Sequence, residues 1–159
     1  MRELILIRHA KSGWEHPHLN DFDRPLDDRG LRDAPKMAKR FGPRWDAPDL
    51  LISSPAIRAY QTSQFFREEW NLPWERYLLQ DAIYEATPET LLAVLQQFDD
   101  QAQRIALVGH NPGISSLLHL LSGEDKELKT TCIARLTTSQ KSFAVGECEF
   151  VDHHSPQMY

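Results

Sequence analysis

A chain of 159 residues, 41% hydrophobic and 26% charged, has the make-up of a globular protein with one buried core. The net charge of −5 argues against a general nucleic-acid binder, which needs a basic face to displace counterions, but not against an anionic substrate held by a few arginines in a cleft. No apolar run approaches the roughly 20 residues that span a bilayer, and Leu4 to Ile7 is too short for a signal-peptide core. The expectation is therefore one cytoplasmic domain over residues 1–159, with no nucleic-acid or membrane partner.

In chain order, Arg2 to Arg8 reads as a buried strand, because Leu4, Ile5, Leu6 and Ile7 are continuously apolar. A polar loop follows, from Lys11 to Pro25. Asp27 or Asp28 then offers an N-cap for a helix to about Phe41, with Leu31, Ala34, Met37 (or Ala38) and Phe41 on one face. Pro35 lies inside that pattern and predicts a kink or a late start. Asp49 to Ser53 is a second short strand. Pro55 sits near the start of a helix running to about Trp70. A weaker strand falls near Arg76 to Ala82. Thr87 and Pro88 open a helix to Phe98, with Leu91, Leu92, Leu95 and Phe98 inward. Arg104 to Val108 is another buried strand, followed by Gly109 and a helix from Pro112 to Leu121 that Asn111 can cap. Thr131 to Leu136 and Ser142 to Val151 are strand-like, and His153 to Tyr159 reads as a loose end. This alternation predicts an α/β sandwich with a mostly parallel sheet.

In such sheets ligands bind beyond the carboxyl ends of the strands. The most reactive residues follow strand ends: Arg8 and His9 after the first, Arg58 shortly after the second, His110 after the fourth. Each alone has a plain structural explanation, as a locally satisfied histidine, a surface arginine or a helix cap. Together, two histidines and two arginines converging on one cleft suit a phosphoryl group, whose non-bridging oxygens match guanidinium forks. The helix N-termini at Ser54 to Arg58 and Asn111 to Ile114 would add N–H donors. There is no GxxxxGK[ST] loop and no Asp/His metal cluster, so phosphoryl transfer here would need neither metal nor cofactor. An imidazole nucleophile needs one neutral nitrogen facing phosphorus, with the ring fixed by a hydrogen bond on the other. Cys132 and Cys148 read as buried thiols, His16 and His18 as loop decoration, His119 as a helix-face residue, and Asp152-His153-His154 as a chance echo of a metal-site tripeptide.

The segments RHAKSGW, DRPLDDRG, SSPAIRAYQT and LVGHNPG, in that order and spacing, resemble the histidine phosphatase (phosphoglycerate mutase-like) superfamily. The RHAKS and GHNPG wording and the short length are similar to its SixA-type phosphohistidine phosphatase branch. The resemblance implies a three-layer α/β/α sandwich with a mostly parallel, mixed sheet in which one strand is antiparallel. It also implies His9 as nucleophile and Arg8, Arg58 and His110 as the phosphate clamp. Glu85 falls where many relatives carry the general acid. Ala10 stands in place of the usual Gly. Lys11 and Glu15 stand where mutases usually carry Glu and Asn, which argues against mutase activity. Lys11, Ser12, Trp14 and Arg24 lie on the loop after the nucleophile, as candidates for shaping substrate access.

The implied reaction has two steps: attack of neutral His9 on phosphorus, then hydrolysis of phospho-His9 by water, with Glu85 as a candidate acid/base. The stretch between Arg58 and Thr87 leaves little material for a lid. An open site favours a phosphohistidine on a partner protein, such as a histidine-phosphotransfer domain. The alternatives are hydrolysis of a small phosphomonoester and non-catalytic binding of phosphohistidine.

Overall fold

In the computed structural model, which describes residues 1–159, the N-terminal apolar run becomes β1 (Arg2–Arg8) near the middle of a six-stranded sheet. The further strands are β2 (Leu50–Ser53), β3 (Tyr77–Leu79), β4 (Arg104–Gly109), β5 (Ile133–Thr138) and β6 (Glu149–His154), in spatial order β3-β2-β4-β1-β5-β6. β1 pairs in parallel with β4, which pairs in parallel with β2, as β2 does with β3. β5 is antiparallel to both β1 and β6, so it alone runs against the rest.

The side-chain alternation of a strand makes β1 serve two cores. Leu4 and Leu6 pack with α3 (Pro88–Gln96) and α4 (Gly113–Ser122) through Leu91, Leu95, Leu117 and Leu121. Ile5 and Ile7 pack on the other face with α1 (Asp28–Phe41) and α2 (Ile57–Glu69) through Met37, Phe41, Ala59 and Phe66. The result is the expected α/β/α sandwich with a mixed sheet. No helix is long and apolar enough to cross a membrane.

Several local expectations need correction. α1 begins at Asp28, capped by Asp27, and runs through Pro35 without a late start. The carbonyl that Pro35 leaves without a donor belongs to Leu31, which is 47% exposed and open to water. Leu31 therefore does not face the core. The inward stripe is Gly30, Ala34, Met37, Ala38 and Phe41, because the backbone of Lys11 presses on the first turn where only a glycine fits. The weak strand is only Tyr77–Leu79, and Ala82 falls in a 3-10 turn, Asp81–Ile83. α3 stops at Gln96, short of Phe98. β5 and β6 both lie a few residues later than their sequence patterns suggest.

The C-terminus is not loose. His153 and His154 belong to β6, and Pro156–Met158 forms a 3-10 turn. Asp152 pairs with Arg135 on the neighbouring strand, the Arg40 guanidinium lies 3.5 Å from the Tyr159 ring centroid, and Lys36 Nζ donates to the carbonyls of Pro156 and Tyr159. These partners come from remote positions, which is why polarity alone misreads the segment as free.

Candidate active site

The carboxyl ends of β1, β2 and β4 open into a cavity of about 260 Å³ lined by Arg8, His9, Lys11, Ser12, Trp14, Arg24, Arg58, His110, Asn111 and Thr130. Parallel neighbours bring these ends level: Arg8 is in register with Gly109, and Ser53 with Val108. All four residues of the two-His, two-Arg set reach the cavity. So do Lys11, Ser12, Trp14 and Arg24.

His9 is buried, with 8% of its surface exposed. Its Nδ1 donates to its neighbour Ala10's carbonyl at 2.7 Å, which leaves Nε2 as the unprotonated nitrogen. Burial, the adjacent His110 ring and the charges of Arg58 and Arg8 hold its pKa well below the ordinary histidine value. The backbone that carries it is pinned on both sides. The Ala10 N–H donates to Thr62 Oγ1 on α2, and Thr62 in turn donates to the Arg58 carbonyl. On the other side, Thr131 N–H is shared between the carbonyls of Arg8 and His9. Thr131 does so with φ of +62°, a strained conformation for a β-branched residue.

The His110 ring lies 5.0 Å from that of His9, and its Nε2 sits 2.7 Å from Ser54 Oγ. Burial and Arg58 lower its pKa to about 4, so it too is neutral near pH 7. Asn111 Oδ1 accepts from the Ser115 N–H in the first turn of α4, although Pro112 takes the N-cap position itself. Asn111 Nδ2 and Arg8 Nη1 both donate to the Leu128 carbonyl, at 2.6 and 3.1 Å.

Three buried nitrogens around this cavity have no protein partner: Arg8 Nε, Arg58 Nε and His110 Nδ1. Buried polar nitrogens are rarely left unpaired, and all three belong to residues that line the cavity; His110 Nδ1 donates in the tautomer whose Nε2 accepts from Ser54 Oγ. No group of His, Cys, Asp and Glu is arranged to hold a metal ion.

The structure does not bring Glu85 into this cavity. Glu85 is exposed, with φ of +54°, and lines an adjoining cavity that shares His110 and Asn111 with the first, together with Thr87, Pro88 and Ser116. The carboxylate that does approach is Asp21, from the loop before Arg24, hydrogen-bonded to Arg58, Arg24 and Tyr84. Sequence reasoning passed over Asp21, Tyr84 and Thr131, and named Ser54 only as the start of a helix. The only signal available for Asp21 was its place three residues before Arg24, which is ambiguous without the fold.

A model of the histidine phosphatase superfamily (branch 1) matches residues 4–78. A candidate phosphohistidine phosphatase SixA from Agrobacterium tumefaciens is 30% identical, with a TM-score of 0.84 and 98% of each chain covered. The structure of a protein histidine phosphatase SixA complexed with tungstate shares the fold, with a TM-score of 0.85, 22% identity and 98% of each chain covered. Among curated proteins, an uncharacterized chloroplastic protein of Arabidopsis thaliana is 33% identical over 85% of this chain, which spans 65% of that relative's length. An uncharacterized protein of Mycobacterium tuberculosis is 31% identical over 84% of this chain and 82% of its own. With two histidines and two arginines meeting at the carboxyl edge of such a sheet, this chain belongs to the histidine phosphatase superfamily.

Proposed function

We propose that residues 1–159 act as one phosphatase domain that removes phosphate from phosphohistidine on a partner protein, through a phospho-His9 intermediate and without metal or cofactor. The observation that carries this reading is the neutral His9, oriented through Nδ1, lining one cavity with Arg8, Arg58 and His110. Nε2 of His9 attacks phosphorus in line while Arg8, Arg58 and His110 hold the equatorial oxygens and the two guanidinium groups offset the charge of the transition state. The bond from phosphorus to the substrate's imidazole breaks as that ring takes up a proton from solvent. Water then attacks phospho-His9, inorganic phosphate leaves, and His9 returns to its neutral form.

Two features support a phosphohistidine substrate. No carboxylic acid lines the phosphate cavity, which suits a leaving group needing little help: a protonated imidazole departs far more readily than an alkoxide. Between α2 and α3 lie only short turns and the three-residue β3, so that segment supplies no lid over the cavity.

The test is a panel comparing a phosphohistidine-bearing protein domain, an aryl phosphate and small alkyl phosphates. Phosphohistidine is expected to give the highest kcat/KM, with acid-labile label trapped on His9 and all turnover lost in His9→Ala. A preference for an alkyl phosphate would move the assignment to a phosphomonoesterase. Binding of phosphohistidine without turnover of any member would leave only a recognition module.

A further inference from the structure

Asp21 is the carboxylate hydrogen-bonded to both Arg58 and Arg24, two arginines that line the proposed phosphate site, and no step of the reaction above uses it. It lies in a 3-10 turn, Asp21–Asp23, capped by Asn20. Its two oxygens are divided between two arginines. Oδ1 accepts from Arg24 Nε and Nη2 at 3.2 and 2.9 Å. Oδ2 accepts from Arg58 Nη2 at 2.9 Å and from the Tyr84 hydroxyl at 2.6 Å. The Asp21 carbonyl takes Arg58 Nη1 at 2.6 Å. Asp21 thus occupies the terminal nitrogens of Arg58 while leaving its Nε unpartnered. Both arginines line the cavity and Asp21 does not, so the carboxylate grips them from outside it.

The grip is itself braced. Tyr84 packs edge-on against Phe22 and against the His110 ring, at 5.2 and 5.6 Å between centroids. Arg24 Nη1 continues to Ser12 Oγ and the Gly13 carbonyl, and the Trp14 ring lies over its guanidinium at 3.8 Å. Burial pushes the Asp21 carboxyl up, but the bonds from Tyr84, Arg24 and Arg58 outweigh it and hold the group well below the usual carboxylate range. Burial and Asp21 push the Tyr84 hydroxyl up to about 12. Neither group is suited to exchanging protons near pH 7. A carboxylate beside a phosphate cavity also repels the substrate, so a gain in geometry has to offset that cost.

We propose that Asp21 is a positioning residue for phosphoryl transfer, whose two oxygens fix the separation and orientation of Arg24 and Arg58 so that their remaining N–H groups meet the transferring phosphoryl group in its in-line geometry. The inference rests on the phosphatase reading above. It separates transition-state from ground-state binding, because a misaligned arginine still attracts a tetrahedral anion by charge.

Asp21→Asn tests it. An amide accepts at one end only, so one arginine loses its partner while the size of the side chain is kept. Calorimetry would measure inorganic phosphate, which mimics the ground state, and vanadate, which adopts a trigonal-bipyramidal geometry on a nucleophile. Phosphate affinity is expected to stay within about 3-fold of wild type or to tighten as a negative charge is lost, while vanadate affinity and aryl phosphate kcat fall by roughly 10–100-fold. Tyr84→Phe, which loosens Asp21 without removing its charge, is expected to show a smaller loss of the same kind. Unchanged binding of both anions in Asp21→Asn would overturn the proposal, as would equal losses on both accompanied by a lowered melting temperature, the mark of a purely structural role. A wild type that binds neither anion would instead overturn the phosphatase reading, and this proposal with it.

Discussion

At the scale of single residues, the site depends on where protons sit. His9 is tied through Nδ1 to its neighbour's carbonyl and surrounded by cations, which leaves Nε2 as the only basic nitrogen. Glu85 is the residue whose role the geometry bears on most directly. It is exposed, accepts no hydrogen bond and opens onto the adjoining cavity. Glu85→Gln keeps the shape and cannot deliver a proton. The expected outcome is a change within about 3-fold on phosphohistidine and on an alkyl phosphate alike, measured as kcat/KM. A fall of roughly 10²–10⁴-fold on the alkyl phosphate alone would identify Glu85 as the acid for a poor leaving group.

At the scale of elements, the first turn of α1 shows how packing overrides propensity. Alanine is ordinarily favoured over glycine inside a helix by about 1 kcal/mol. At Gly30 a Cβ would come 2.1 Å from the Lys11 carbonyl oxygen, a backbone atom that cannot swing away. The same carbonyl accepts the Asp27 N–H, so the start of α1 and the loop after the nucleophile are held together. Gly30→Ala is expected to destabilise by about 1–3 kcal/mol despite its better propensity, the cost of overpacking a close contact. It should also raise KM by displacing Lys11. Thermal unfolding and steady-state kinetics check both, and a stabilised variant with unchanged KM would show that the loop and helix slide apart freely.

At the scale of the whole molecule, the two buried histidines link stability to pH. His110 titrates near 4 in the folded chain against the ordinary 6.5, so the unfolded chain binds the proton first as pH falls. Its contribution is complete above about pH 6.5, declines between 6.5 and 4, and levels off below that. The loss amounts to about 3 kcal/mol for His110, and His9 acts in the same direction. Urea midpoints should therefore drop between pH 7 and pH 4.5, and His110→Gln should flatten part of that slope. A wild-type profile that stays level across this window would mean that both rings accept protons in the folded state.

The layers, and the edge at which chemistry gathers, were legible in the residue pattern alone. Continuous apolar runs such as Leu4–Ile7 and Ile105–Val108, too short for helices of their own, read as strands buried on both faces. Arg8, His9, Arg58 and His110 follow strand ends, and parallel pairing brings such ends level. The motif wording carried the family. Only the tertiary structure decided which carboxylate approaches the cavity. Asp21 and Tyr84 are 63 residues apart, and their bond depends on how the loop after β1 folds. Glu85, by contrast, is itself left-handed and lines a different cavity, which no periodicity announces. The fate of the last residues was decided in the same way. Asp152, His154 and Tyr159 look free in sequence, and their partners Arg135, Phe41 and Arg40 come from distant positions. Hydrophobic period and strand-end position are local properties of a chain. Hydrogen bonds between polar side chains far apart in sequence are set by packing, and so belong to the folded molecule alone.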